Sequence, residues 1–71
     1  MFKWIICDDS GNYIKRFSKE ENSIHTSPYA QESHFFDDKR AAERVINTMQ
    51  KQGHDMTLMQ ARKACVVVSV L

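Results

Sequence analysis

The chain has 71 residues, of which 42% are hydrophobic and 27% charged, so it has room for one small domain (1–71), and this composition excludes a wholly disordered protein. Its formal net charge of +1 lacks the basic excess typical of dedicated nucleic-acid binders, whose affinity depends on phosphate contacts. Uninterrupted apolar runs, such as 65–68, are too short to span a bilayer, and no basic and apolar leader opens the sequence. We therefore expect a cytoplasmic domain without membrane contact.

The first predicted element is a β-hairpin. Residues 2–7 (FKWIIC) and 12–18 (NYIKRFS) are rich in the aromatic and β-branched residues typical of strands. The DDSG sequence at 8–11 joins acidic and Ser residues, which start turns, to a Gly that tolerates positive φ. A phosphoacceptor pocket of the response-regulator receiver kind needs a helix after the aspartates, whereas a second strand follows here. We interpret Asp8 and Asp9 as turn residues.

A polar segment at 19–34 has no hydrophobic periodicity and contains the only proline of the chain. Its isolated bulky apolar residues are Ile24 and Tyr29. Loops of this length in compact domains are usually functional or mobile, and binding residues concentrate on loops. We predict a long loop here and expect a binding site within it.

The clearest element is a predicted helix at 38–52. Asp37 or Asp38 can cap the free amides at its start, and Gly53 suits the position after its end. Apolar residues recur at i, i+3, i+4 and i+7 and form one stripe that should pack on a sheet: Ala42, Val45, Ile46 and Met49.

The next segment favours a short second helix at 57–64, because it consists mainly of helix-forming residues and Thr57 with Gln60 fits a capping box. A strand at 56–62 is the alternative. The nearly continuous apolar and β-branched run at 65–71 (CVVVSVL) predicts a final strand covered on both faces.

These elements predict an α+β fold, with a small sheet of three to four mainly antiparallel strands and both helices on one face. The two helices leave the other face of the sheet uncovered, and the apolar residues of 2–7 and 65–71 point to both faces. Such a surface exceeds what monomers normally expose. We therefore expect a homo-oligomer, such as a homodimer, formed through the sheet, or a partner docked there.

The sequence contains no recognisable catalytic or metal-binding pattern. Two cysteines, Cys7 and Cys65, lie in apolar runs and are expected to be reduced core thiols. Neither they nor the three histidines stand at the spacing of a structural zinc site. No nucleophile elbow, P-loop or dinucleotide fingerprint is present. We expect a protein that is not an enzyme and needs no cofactor.

The exposed side of the predicted helix is basic. Arg40, Arg44 and Lys51, with Lys39 beside them, form a stripe that could follow a phosphate backbone while exposed aromatic residues stack on bases. The alternative is a solvated helix face on which Glu43 neutralises its neighbours through i, i+3 and i, i+4 contacts.

The order KWIICDDSGNYIKRF, a polar loop, and YAQESHFFDDKRAAERVI resembles small phage and prophage accessory proteins of ββ-loop-α-(α)-β layout. In those proteins a hairpin and a loop precede a helix that is entered through Asp or Ser and carries an A-x-x-V-I stripe. The resemblance implies an anti-defence or host-takeover protein, such as an anti-CRISPR inhibitor, that blocks a bacterial host protein by occlusion. Other such proteins sequester a signalling nucleotide. The TLMQARKA segment departs from the commoner layout.

We accordingly expect a non-enzymatic protein-binding module that acts as an inhibitor in a bacterial host cell. Tyr and Arg are frequent hot-spot residues of interfaces. The predicted partner contacts are Ile24, His25, Tyr29, Arg40 and Arg44. Two alternatives stay open: a nucleic-acid binder that uses the basic helix face, and an oligomer that sequesters a nucleotide in pockets between subunits built from Trp4 or Tyr29.

Overall fold

The computed structural model describes residues 2–65. Four strands, β1 (Phe2–Cys7), β2 (Tyr13–Ser18), β3 (Ser23–Ser27) and β4 (Gln60–Cys65), form one antiparallel sheet in the order β3-β2-β1-β4. One α-helix, α1 (Lys39–Lys51), packs on β1 and β4. The predicted α+β class is confirmed.

The hairpin between β1 and β2 is formed as predicted, and Asp8 organises its turn. One carboxylate oxygen of Asp8 accepts hydrogen bonds from the backbone N–H groups of Ser10 and Asn12, and the other accepts from the Asn12 side chain at 3.0 Å. Gly11 has a φ of +87°, a conformation that residues with a Cβ rarely adopt. The interpretation of Asp8 and Asp9 as turn residues is confirmed.

The predicted loop at 19–34 is not a loop throughout. It contains β3 and a short 3-10 helix, Ala30–Glu32. β3 escaped prediction because it is an edge strand whose inward side chain Ile24 faces Phe17, whereas its other residues are polar. A β-bulge in β2 between Ile14 and Arg16 lets both Ile14 and Phe17 point to the core.

Residues 34–36 lie between β1 and β2. β1 and β2 pair at Cys7 and Tyr13, while further along the sheet Phe36 forms a bridge with Trp4. The backbone N–H of His34 donates to the carbonyl oxygen of Ile14 at 2.9 Å. The chain must therefore cross β2 between the end of β3 and His34, and we call residues 28–33 the crossing segment.

Both ends of α1 match the predicted signals. The Asp38 side chain accepts from the backbone N–H of Ala41 at 2.8 Å, so Asp38 is the N-cap. At the other end Gly53 has a φ of +100°, and the N–H groups of Gly53 and His54 bond to the carbonyl oxygens of Gln50 and Met49. This is a Schellman arrangement, which satisfies the last carbonyls of the helix.

The predicted second helix at 57–64 is wrong. A turn leads instead into β4, which overlaps the alternative strand at 56–62 only in part, over residues 60–62. The Asp55 carboxylate accepts from both the backbone N–H and the hydroxyl of Thr57, so Thr57 belongs to an Asx turn instead of a capping box. β4 pairs with β1 over its whole length, from Gln60 opposite Cys7 to Cys65 opposite Phe2. Pairing to an otherwise open edge overrides helix propensity here.

The core lies between the sheet and α1. Its buried members come from every layer of the fold: Ile6, Ile14, Phe36, Ala42, Val45, Met49 and Met56. Three residues of the predicted helix stripe are thus buried, and Ile46 packs partly buried against them. The stripe is confirmed.

The two cysteines differ. Both are free thiols, Cys7 is buried as predicted, and Cys65 is exposed, so its assignment to the core is wrong. Desolvation raises the pKa of the Cys7 thiol. The rest of the predicted strand at 65–71 lies outside the described residues. Within residues 2–65, no helix has the length and apolar character needed to cross a membrane.

Candidate functional site

The side of the sheet opposite α1 is the candidate binding surface, and we call it the open face. Paired residues of neighbouring strands share a face, and successive residues alternate. Trp4 and Ile6 face the core, so Ile5 and Cys7 point to the open face. Their partners in β4 are Arg62 and Gln60, which therefore lie on the same side.

The open face is less apolar than expected. Ile5 and Cys7 are already buried at 6% and 3% exposure. The bridge between Trp4 and Phe36 places Phe35 beside Ile5 in the neighbouring position, on the same side of the sheet. Over residues 2–65 the expected large apolar second face is thus reduced on β1 to the partly exposed Phe35 beside the buried Ile5 and Cys7.

Basic side chains on this face are held by carboxylates. Lys3 bonds to Asp37, which lies opposite it one step from the Trp4 bridge. Arg62 Nη2 lies 2.6 Å from Asp9 Oδ1, which also accepts from the Gln60 side chain. These contacts neutralise the positive charge on the β1 and β4 side of the open face. The bond from Lys3 lowers the pKa of the Asp37 carboxyl.

A third ion pair anchors the crossing segment. The Glu32 carboxylate accepts a hydrogen bond from the Ser27 hydroxyl and lies 3.8 Å from Lys15 Nζ. The same Ser27 oxygen accepts from the backbone N–H of Tyr29 at 3.1 Å. Ser27 is 4% exposed and is paired with Tyr13 of β2. Hydrogen bonds and an ion pair therefore hold the crossing segment near both of its ends, so its exposed side chains extend from a backbone that is held in place.

Two aromatic side chains project from this arrangement. Tyr29, at the start of the crossing segment, is 58% exposed, and Phe35, just after it, is 38% exposed. Large exposed aromatic side chains on a fastened backbone are the usual anchors of protein interfaces, because little conformational entropy is lost when they are buried. The sequence showed Tyr29 as a candidate but gave no sign of Phe35, because its neighbour Phe36 is equally apolar and is the buried member of the pair.

The predicted contact residues do not form one surface. Ile24 is half-buried against the core, whereas His25 is exposed on the open face, opposite Arg16. Tyr29 is exposed as described above. Arg40 and Arg44 are exposed on α1, on the other side of the sheet. The structure thus brings His25 and Tyr29 to the β2 and β3 half of the molecule and separates them from the two arginines.

On the basic face of α1, Glu43 neutralises its basic neighbours less than the interpretation of this face as a solvated helix surface requires. Within the described part of the chain, the ion pairs at 4.0 Å or less involve neither Glu43 nor the arginines Arg40 and Arg44. Lys39 Nζ lies 5.8 Å from the ring centroid of Trp4, which is half-buried against the core. Trp4 is therefore covered on the helix side.

A groove of about 330 Å³ runs between α1 and β4. Its helix wall is formed by Lys39, Glu43, Ile46 and Asn47. Its strand wall is formed by Met59, Gln60 and Ala61. Three of these residues, Ile46, Met59 and Ala61, are partly buried against the core, and we call this space the edge groove.

Metal binding finds no support in the described residues: 2–65 hold no group of three or more His, Cys, Asp or Glu side chains placed to share an ion. His34 instead packs edge-on against Phe36 and Phe17, with ring centroids 4.6 Å and 5.3 Å away. His54 bonds to Asn22. These two histidines thus have structural contacts within the fold.

Comparisons with family models, with curated proteins and with solved structures find no match. The function is therefore inferred from the sequence and the geometry of this chain.

Proposed function

We propose that this protein is a non-enzymatic protein-binding module that contacts its partner through the open face, with Tyr29 and Phe35 as anchors and His25 beside them. The observations that carry the proposal are two exposed aromatic side chains, Tyr29 and Phe35, on and directly after a segment held by hydrogen bonds, together with basic side chains of the sheet that already lie close to carboxylates. Polyanionic ligands select unpaired basic groups. A surface on which Lys3, Lys15 and Arg62 already lie close to carboxylates suits another protein.

The partner we propose is a bacterial host or defence protein that is blocked by occlusion. The resemblance to phage and prophage accessory proteins supports this choice, as does the small size of the domain. A fastened surface needs no bound cofactor and little rearrangement on binding, because the ion pairs and hydrogen bonds that hold it are made within the chain. Such a module inhibits by covering a site on its partner.

The test is capture from bacterial lysate with matched variants. Wild-type protein, the double variant Tyr29→Ala with Phe35→Ala, and the control Leu58→Ala are immobilised at equal density after their folding has been checked by circular dichroism. Leu58 is 76% exposed in the turn before β4, so its removal changes exposed apolar area away from the anchors. We expect a specific protein on the wild type and the control and its loss from the double variant. Equal capture by all three proteins would contradict the assignment of the open face as the binding surface.

A second candidate function is nucleic-acid binding by α1. It is favoured by Arg40 and Arg44, which lie one helical turn apart without an ion pair to Glu43 among the described residues. This candidate predicts an affinity that falls steeply as salt rises and that decreases in Arg40→Ala with Arg44→Ala but not in Tyr29→Ala. Fluorescence anisotropy with short DNA and RNA, at low and moderate salt, separates it from the protein-binding function.

A further inference from the structure

The edge groove has the size and composition of a small-molecule site. Its volume of about 330 Å³ lies at the lower end of the range of about 300–1,000 Å³ in which proteins bind small ligands. Such sites combine apolar walls with a few polar groups that fix the orientation of the ligand. Here Ile46 of the helix wall and Met59 and Ala61 of the strand wall offer apolar surface to a ligand.

The same groove is lined by one basic and one acidic side chain, Lys39 and Glu43, both exposed. They lie four residues apart on α1, and the Cβ atoms of such residues are about 5–6 Å apart, with lysine before glutamate the less favourable order for an ion pair. Within residues 2–65, none of the ion pairs at 4.0 Å or less uses either side chain. Lys39 Nζ lies instead over the ring of Trp4, 5.8 Å from its centroid. Both charges are therefore available to one ligand.

We propose that the edge groove binds a free α-amino acid with an apolar side chain, such as leucine or methionine. The α-carboxylate of the ligand bonds to Lys39, and its α-ammonium group bonds to Glu43. Its side chain contacts Ile46, Met59 and Ala61. Along the helix wall the two charged residues come first and the apolar residue follows. A zwitterion with one apolar branch matches this order, whereas a ligand with a single charge leaves Lys39 or Glu43 without a partner.

The first test is a titration of the isotope-labelled protein with L-leucine, followed by two-dimensional NMR. Leucine should produce saturable shifts of the backbone amides of Glu43, Ile46, Met59 and Ala61. Glycine, which carries both charges but no side chain, should bind more weakly. Leucinamide lacks the carboxylate and N-acetyl-leucine lacks the ammonium group. We expect each derivative to lose about tenfold or more in affinity, which is the effect of removing a charge-assisted hydrogen bond.

The second test uses two variants that each remove one charge, and both introduce glutamine, a residue that favours helix. In Glu43→Gln, leucine should bind as weakly as N-acetyl-leucine binds to the wild type, and acetylation should change the affinity less than about threefold, because the two changes remove the same contact. Lys39→Gln should behave in the same way towards leucinamide. The matched control is Arg44→Gln, at an exposed position of α1 outside the groove, which should bind leucine like the wild type.

The amino-acid site goes beyond the protein-binding function and does not depend on it, because the two surfaces use different residues. Tyr29→Ala with Phe35→Ala should leave leucine binding unchanged, and Glu43→Gln should still capture the protein partner. Loss of leucine binding in the aromatic double variant would place the ligand on the open face and contradict the groove. Absence of saturable shifts at the groove, or equal affinity for leucine and both derivatives, would overturn the proposal.

Discussion

Trp4 and Phe36 exchange two backbone hydrogen bonds: Trp4 N–H donates to the Phe36 carbonyl at 2.9 Å, and Phe36 N–H donates to the Trp4 carbonyl at 2.8 Å. This one bridge fills the space between β1 and β2 beyond their pairing at Cys7 and Tyr13. It also decides which of two adjacent phenylalanines is buried. Phe36 enters the core, and Phe35 is left on the open face.

Phe36 and Phe35 should therefore differ sharply in their effect on stability. Phe36 is 7% exposed and stacks with Phe17 at a centroid distance of 6.0 Å. We expect Phe36→Ala to lower the free energy of unfolding by about 3–5 kcal/mol, since it removes a buried aromatic ring. Phe35→Ala, the matched control, should cost less than about 1 kcal/mol because its ring is partly in solvent. Urea unfolding measured by tryptophan fluorescence checks both, and equal losses would contradict the assignment of faces.

Local signals predicted the hairpin and α1 because the residues that define them are close in sequence. The DDSG turn, the cap at Asp38, the stop at Gly53 and the apolar stripe act within a few residues of one another. The same reasoning predicts Tyr29 and His25 as partner contacts, because both lie in the polar segment at 19–34.

The remaining elements depend on contacts far apart in the chain. β4 contains good helix formers, yet it becomes a strand because β1 offers it a complete ladder of partners from Phe2 to Cys7. β3 has only Ile24 to point inward, and its register comes from β2. The insertion at 34–36 has no local signature at all. Phe35 and the pairing of Arg62 with Asp9 therefore needed the structure.

His54 should control the order of the turn between β2 and β3. Its Nε2 lies 3.1 Å from the carbonyl oxygen and 3.0 Å from the side-chain oxygen of Asn22, so this nitrogen carries the proton and donates. Asn22 has a φ of +51°, and its side-chain amide donates to the Gln52 carbonyl. Loss of these bonds should loosen the turn without unfolding the helix. We expect His54→Ala to speed amide hydrogen exchange at 19–23.

The matched control for this prediction is His25→Ala, which removes an exposed imidazole from the neighbouring strand. It should leave exchange at 19–23 unchanged. In both variants the amides of α1 should keep their protection, since the helix is held by its own caps and by the core. Faster exchange throughout the protein would mean that His54 supports global stability and would contradict a local role.

Stability should fall at acidic pH partly through Asp8. Hydrogen bonds, chiefly from the Asn12 side chain and then from its backbone N–H, lower the pKa of the Asp8 carboxyl below its ordinary value of 3.8. A lowered folded-state pKa gives stability that is present above the ordinary value and is lost as pH falls through the folded value. Asp8→Ala should therefore flatten the decrease in Tm between neutral pH and pH values below 3.8.

Ser10→Ala is the control, since Asp8 accepts from the backbone of Ser10 and not from its hydroxyl. It should keep the wild-type dependence of Tm on pH. The lowered pKa values of Asp37 and Asp55 act in the same range, so some decrease remains in Asp8→Ala. An unchanged slope in that variant would show that the turn bonds do not contribute to stability.

The two thiols should react at different rates with a disulfide reagent. Cys65 is exposed, whereas Cys7 is 3% exposed and its thiol pKa is raised by desolvation, which lowers the thiolate fraction. We expect one fast and one slow phase with Ellman's reagent under reducing-agent-free conditions. Cys65→Ser should remove the fast phase alone. Loss of the slow phase in that variant would contradict the buried position of Cys7.

The most direct measurement of the protein-binding proposal compares two variants against a partner purified by capture. By isothermal titration, Tyr29→Ala should raise the dissociation constant about 30-fold or more. This is the effect expected when a hot-spot aromatic residue that contributes about 2 kcal/mol to the binding free energy is removed. Arg44→Ala, on the opposite side of the sheet, should change it less than about threefold. The reverse order, with Arg44 essential and Tyr29 dispensable, would contradict the open face as the binding surface and assign binding to α1.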